Sequence, residues 1–197
     1  MDSPPVARSA PIGLARAVVL VEGESDRAAV EALAARRGRD LERDSVAVVA
    51  MGGAKNIGRC LDRFGPRGLD LRLAGLCDAR EEPDFRRGLE RAGFGDHLDR
   101  DDLESLGFFV CVADLEDELI RALGASAVEE LVAAQGEIGS FRTFQKQPAQ
   151  RGRANDQQLR RFLGTRSGRK IRYGRLLIDE LDLADVPPSL DRLLARV

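Results

Sequence analysis

Tryptophan is missing from this sequence, and tyrosine and histidine occur once each. A single histidine, His97, excludes metal sites built on paired imidazoles. It sits in the polar stretch GDHLDRDD and reads as a surface-loop residue. Cysteine is also scarce. Cys60, Cys77 and Cys111 are odd in number and far apart, and two of them lie inside apolar runs, so they read as buried free thiols and not as disulfides or zinc ligands. No apolar run approaches the ~18 residues of a membrane span. The opening MDSPPVARSAPIG holds tandem prolines and no apolar core, which predicts a short flexible tail over residues 1–15 instead of a signal peptide, and with it a cytoplasmic location. Internal repeats are absent too.

What the chain does have is ordinary for a globular protein: 197 residues, 43% hydrophobic and 32% charged, enough for one main domain with a substantial core. The net charge of −2 conceals a segregation. Residues 140–175 carry eleven Arg and Lys against one acid, Asp156, a local balance of +10 that leaves −12 for the remainder. Such asymmetry marks a polyanion-binding face beside an acidic or metal-binding one.

Four apolar runs read as buried strands: AVVLV (17–21), VAVVAM (46–51), LRLAGLC (71–77) and GFFVCVA (107–113). They are rich in Val and Leu without polar alternation, which predicts a parallel sheet covered on both faces. Helical patterns separate the first three gaps. Ser25 is placed to cap a helix through Arg37, AKNIGRCLDRF gives a shorter one, and a third opens at Pro83. This rhythm predicts an α/β domain with a four-stranded parallel, Rossmann-like sheet flanked by helices. After residue 114 the periodicity is wholly helical, and QPAQRGRANDQ is the expected flexible loop.

Ligands of an open parallel sheet bind at the carboxyl ends of its strands. Strand one ends in Glu22-Gly23, with Asp26 in the next turn. Strand three ends in Asp78, followed by Glu81 and Glu82, and strand four ends in DLEDEL, with Asp114, Glu116, Asp117 and Glu118. Three strands therefore deliver acids to one edge, where they repel unless a cation sits among them. Hard oxygen donors of this kind suit Mg²⁺ or Mn²⁺. Singly, an acid in a first helical turn is explained by the helix dipole. The coincidence across strands is the signal. The glycines of MGGAKNIG, with Lys55 nearby, fit either a phosphate cradle or a simple strand-to-helix turn, and the turn is favoured.

These residues resemble a known family. VVLVEGESDRAAVEAL is similar to the opening motif of Toprim domains, AGLCDAREE falls where that family has an Asp-x-Asp strand, and VCVADLEDELIRALG and SGRKIRYGRLL are similar to later segments of the OLD (overcoming lysogenization defect) nucleases. The resemblance implies a Toprim α/β domain over 16–123 and a helical, basic extension over 124–197 packed on it. It implies metal-dependent phosphodiester cleavage or nucleotidyl transfer on nucleic acid, DNA favoured. Glu22 becomes a general acid or base or a metal ligand, Asp26 and Asp78 metal ligands, Glu116 the completion of the shell, and Lys170 the group that steadies a phosphate. The sequence departs from the family at Asp78-Ala79-Arg80, where the second acid is missing. Glu81 is the candidate substitute, while Arg80 brings a positive charge that could neutralise the cluster without metal. That departure keeps two alternatives open, a catalytically weakened binding module and an enzyme of small phosphoesters. No Walker A pattern occurs, so the ATPase domain of OLD proteins is expected to be absent, leaving a stand-alone unit with an ATPase or repair protein as a separate partner.

The basic segment adds the last expectation. Arg160, Arg161, Arg166, Arg169 and Arg172 recur at three- and four-residue steps, so several share a helical face suited to a phosphate backbone.

Overall fold

The computed structural model describes residues 9–197, the side chain of Ser167 excepted. The N-terminal part of the expected flexible tail, residues 1–8, lies outside the described residues. Residues 9–15 lie against the sheet: Ala10 is buried and its N–H donates to Val46 O at 2.8 Å, and a 3₁₀ turn follows at Ile12–Leu14.

Four strands, β1 (Ala17–Val21), β2 (Val46–Ala50), β3 (Arg72–Cys77) and β4 (Phe108–Val110), form one sheet in the order β2-β1-β3-β4, every pair parallel. Each strand lies within a run expected from composition, and β4 stops well short of its run. Successive residues of β1 feed opposite cores. Ala17, Val19 and Val21 join Val46, Val48, Ala74 and Leu76 on one face, and Val18 and Leu20 join Ala47, Leu73 and Phe108 on the other. Double-sided burial is why the strands read as unbroken apolar runs.

One face is covered by α2 (Ile57–Phe64), α3 (Glu82–Ala92) and α4 (Arg100–Ser105). The other holds α1 (Glu24–Arg36) and the later helices α5 (Leu115–Leu123), α6 (Ala125–Ala134), α7 (Ile138–Gln145), α8 (Asn155–Leu163), α9 (Ser167–Glu180) and α10 (Pro188–Arg196). Side chains from α6 to α10, among them Val132, Phe141, Tyr173, Leu177 and Leu193, share one continuous core with β1 and α1. The α4 helix was not foreseen. It is short and acid-rich, and Asp99 and Asp102 cap its start reciprocally. The segment expected to be a loose loop is pinned near its start, where Pro148–Gln150 form a 3₁₀ turn, Gln150 is buried and Gln158 Nε2 donates to Gln150 O at 2.9 Å.

The start of α1 differs from the expectation that Ser25 caps it. The helix begins at Glu24, and the Asp26 carboxylate accepts the Gly23 N–H at 2.8 Å. Ser25 is buried because α9 crosses there: a Cβ on Gly174 would lie 2.5 Å from Ser25 O. That close approach sets how deep α9 seats over the start of α1. Gly174→Ala must therefore push two backbones apart, and it is expected to cost about 1–3 kcal/mol, the usual scale of overpacking. Thermal unfolding would register it, and a variant as stable as the parent would refute the contact.

Candidate metal centre

The strand order places β2 on one side of β1 and β3 and β4 on the other. The chain leaves β1 one way and β3 the other, which opens a crevice at the carboxyl ends of β1 and β3, the topological switch point. Glu22 follows β1 and Asp78 follows β3, so both border this crevice.

Backbone wiring fixes their positions. Gly52 and Gly53, both at positive φ (72° and 115°), turn so that their N–H groups donate to Glu22 O at 3.1 and 3.0 Å. Those donors are spent on the turn after β1, which accounts for the glycines of MGGAKNIG without a phosphate. At the next strand, Ala79 N–H donates to Ala113 O and Glu81 N–H to Asp78 O, at 3.1 and 3.0 Å. This tight turn returns residue 81 over residue 78. Carboxylate oxygens of Glu22, Asp78 and Glu81 consequently lie within 4.8 Å of one another. In a magnesium shell the oxygens sit ~2.0–2.1 Å from the ion, so opposite ligands are at most ~4.2 Å apart. The triad lies within reach of that geometry, and three carboxylates fit a hard divalent cation.

Three more acids surround the triad. Asp26 and Glu116 are buried, and Asp114 starts α5, where its Oδ1 accepts the Asp117 N–H at 2.8 Å. Two cations from the C-terminal helices answer them. Lys170 Nζ lies 3.2 Å from Glu116 Oε1, and Arg160 Nε donates to Asp114 Oδ2 at 2.6 Å.

The titration behaviour reflects the crowding. Burial, then Asp114 and Asp26, push the Asp78 carboxyl up to about 8. Burial and then Glu81 raise Glu22. Burial raises Asp26 against the opposing Gly23 N–H, and raises Glu116 against Lys170. Burial works against the Lys170 ammonium, yet Glu116 and Asp26 outweigh it and its pKa is raised.

Of the residues singled out in the sequence, Glu22, Asp26, Asp78, Glu81, Glu116 and Lys170 thus form one electrostatic cluster. Glu22, Asp78 and Glu81 are its tightest part. Asp114, in the sequence one acid of DLEDEL, lies four residues beyond the end of β4 and caps α5 at the same edge of the sheet. Glu118, from the same stretch, is buried and bonded to Val112 N–H at 2.7 Å and to the Ser189 hydroxyl, so it braces the loop. Arg80 does not neutralise the cluster: it is exposed and makes no ion pair among the described residues. Lys170 and Arg160 take that role.

The expected phosphate-binding arginines divide. Arg161 and Arg166 are exposed. Arg160 faces Asp114. Arg169 is 7% exposed, donates twice to Glu137 Oε1 at 3.0 and 2.9 Å and stacks 4.0 Å over Phe162, so it corrects the expectation of a cation on an open face. Arg172 also pairs with Glu137.

Comparison with known proteins gives a consistent picture. The family model "Overcoming lysogenization defect protein-like, TOPRIM domain" matches residues 14–79. The fold is similar to the C-terminal region of the Burkholderia pseudomallei OLD protein, with TM-score 0.71, 20% identity, and coverage of 92% of this chain and 96% of that one. It is likewise similar to the C-terminal region of the Xanthomonas campestris pv. campestris OLD protein, with TM-score 0.67, 26% identity, and coverage of 92% and 93%. No curated protein matches.

A carboxyl whose pKa is raised on folding binds its proton more tightly in the folded chain. Its contribution therefore favours folding at low pH and is lost as pH rises from the usual 3.8 of Asp78 through about 8. In EDTA, stability is expected to fall across that window, and Asp78→Asn to raise Tm at pH 8 by at least about 2–4 °C, the shift expected for 1 kcal/mol at this size. Added Mg²⁺ or Mn²⁺ should stabilise the parent and not the variant. Melting curves with and without metal check both halves.

Proposed function

We propose, from the match of residues 14–79 to the OLD-like Toprim family model, that this chain cleaves or transfers phosphodiester bonds in nucleic acid, DNA in the first instance, with Mg²⁺ or Mn²⁺ held by Glu22, Asp78 and Glu81. The supporting observation is the meeting of three carboxylates from two segments, Glu22 after β1 and Asp78 and Glu81 in the turn after β3, at the switch point of the sheet. The chemistry such an ion supplies when bound is Lewis-acid stabilisation of charge on the phosphoryl oxygens.

The chain's own groups do the rest. Asp26, tied to Gly23 N–H, holds the turn from which Glu22 projects. Glu22 takes the proton of the attacking water or returns one to the leaving oxygen. Lys170, with 41% of its side chain exposed, keeps a donor free of Glu116 for a phosphate oxygen. Asp114 and Glu116 keep Arg160 and Lys170 in place. The same proposal carries an intracellular, cytoplasmic site of action, and an ATPase or repair protein as a separate partner.

One observation favours the weaker reading of a binding module without chemistry: two of the six acids are already matched by Arg160 and Lys170. A plasmid and oligonucleotide cleavage assay in Mg²⁺, Mn²⁺ or EDTA separates the two. Metal-dependent cleavage is expected, lost at least about 10²-fold in Glu22→Gln with Tm retained, a typical effect of removing a proton-transfer group. Lys170→Met is expected to bind DNA normally and cleave more slowly. No cleavage by the parent under any metal condition, with binding intact, favours the module, and a fully active Glu22→Gln removes Glu22 from the chemistry.

A further inference from the structure

Outside the acidic crevice, an open cleft of about 460 Å³ lies between α7, α8 and the amino end of α9. No acid lines it, although the chain has 33. Its polar residues are Ser140, Thr143, Gln147 and Thr165, its cation is Arg166, and Phe144 supplies a partly exposed ring. Arg169 closes the inner side, but its charge is met by Glu137 and its plane lies on Phe162. Arg166, by contrast, is exposed and makes no ion pair among the described residues. It immediately precedes α9, and among the described residues that helix end has neither a side-chain cap nor an acid in its first turn. The positive end of the helix dipole lies beside an exposed arginine.

The cleft also lines up with the acidic crevice. Lys170 N–H donates to Arg166 O at 3.0 Å, so the two residues stand one turn apart on the same side of α9. The rise between them is about 6 Å, comparable with the step between successive phosphates of an extended strand.

We propose that this cleft holds one nucleotide of a single-stranded nucleic acid, with its phosphate at Arg166 and the amino end of α9 and its base against Phe144. A cavity of this volume is in the range of small-ligand sites. A ring reached from the side can stack only on an unpaired base, which selects single strands or frayed ends over intact duplex. The proposal rests on the phosphodiester reading only for the choice of nucleic acid as the polyanion.

Binding of a labelled oligothymidylate and of a duplex of equal length, followed by fluorescence anisotropy in EDTA at low salt, tests it. Arg166→Glu should weaken single-strand binding about tenfold or more, and the salt dependence should become shallower. Phe144→Leu, which keeps packing against Phe162, should weaken it about tenfold and leave duplex binding unchanged. Both variants are checked for unchanged Tm. Parent-like single-strand binding by the two folded variants overturns the proposal, as does equal loss of duplex binding in Phe144→Leu. Binding that depends on Arg166 and Phe144 in a protein that does not cleave supports the cleft and refutes the phosphodiester reading. Metal-dependent cleavage with binding indifferent to both residues does the reverse.

Discussion

Repulsion among carboxylates at the carboxyl ends of β1, β3 and β4 is the constraint around which this molecule is built. At the 4.8 Å limit of the Glu22, Asp78 and Glu81 triad, two like charges repel by about 3–4 kcal/mol at an effective dielectric constant of about 20. Asp26, Asp114 and Glu116 add to that. The rise of Asp78 to about 8 is the same repulsion expressed in protons, after the burial that removes water from the group. A fold can tolerate such a cluster only by protonation, by a bound cation, or by bringing its own cations. Here the third route is partly taken, and it is the C-terminal helices that supply them.

This explains why α8 and α9 share a core with β1 and α1. Lys170 reaches Glu116 only because α9 lies tightly across the start of α1, which Gly174 permits. On an adjacent part of the helix surface, Arg169, Arg172 and Tyr173 all bond Glu137, with Tyr173 OH at 3.0 Å, and this fixes the rotation of α9 about its axis. Glu137 is held below its ordinary pKa although burial works the other way, because these donors favour its charged form. The +10 of residues 140–175 is therefore not a free positive face. Arg142, Arg160, Arg169, Lys170, Arg172 and Arg175 all meet acids, every one of them outside the segment, and charge segregation in the sequence becomes pairing between segments in the fold.

Much of this was legible in the order of residues. Unbroken Val and Leu runs gave the strands because burial on both faces removes polar alternation, and Glu22 and Asp78 were found from strand ends alone. Asp114 carries a related signal but is masked by its neighbours in DLEDEL, where four acids compete; Glu116 and Glu118 are both buried, and only their partners, Lys170 for the first and Val112 N–H and Ser189 for the second, tell the member of the cluster from the loop brace. Ser25 was mistaken for a cap because a hydroxyl at a helix start is the commoner solution, whereas here the N3 carboxylate of Asp26 serves the Gly23 N–H. Which arginines stay free was beyond reach, since helical spacing gives the face of α9 but not the element it meets. Gly174 was silent for the same reason: its value lies in a partner backbone 149 positions away.

The departure at Asp78-Ala79-Arg80 has a geometric answer. Two acids at i and i+2 share a side only while the chain stays extended. After β3 it does not: Ala79 N–H still joins Ala113 O, but Glu81 N–H already bonds Asp78 O, a turn in which residues i and i+3 approach. The residue on the same side as Asp78 is then Glu81, and the i+2 position is turned to solvent, where Arg80 is found exposed. An acid at position 80 would lie outside the cluster in this turn, and an arginine there costs the cluster nothing. Glu81 also stands immediately before α3, at the amino end of that helix. In this chain the acid that joins Asp78 is Glu81, and the triad with Glu22 closes through the turn.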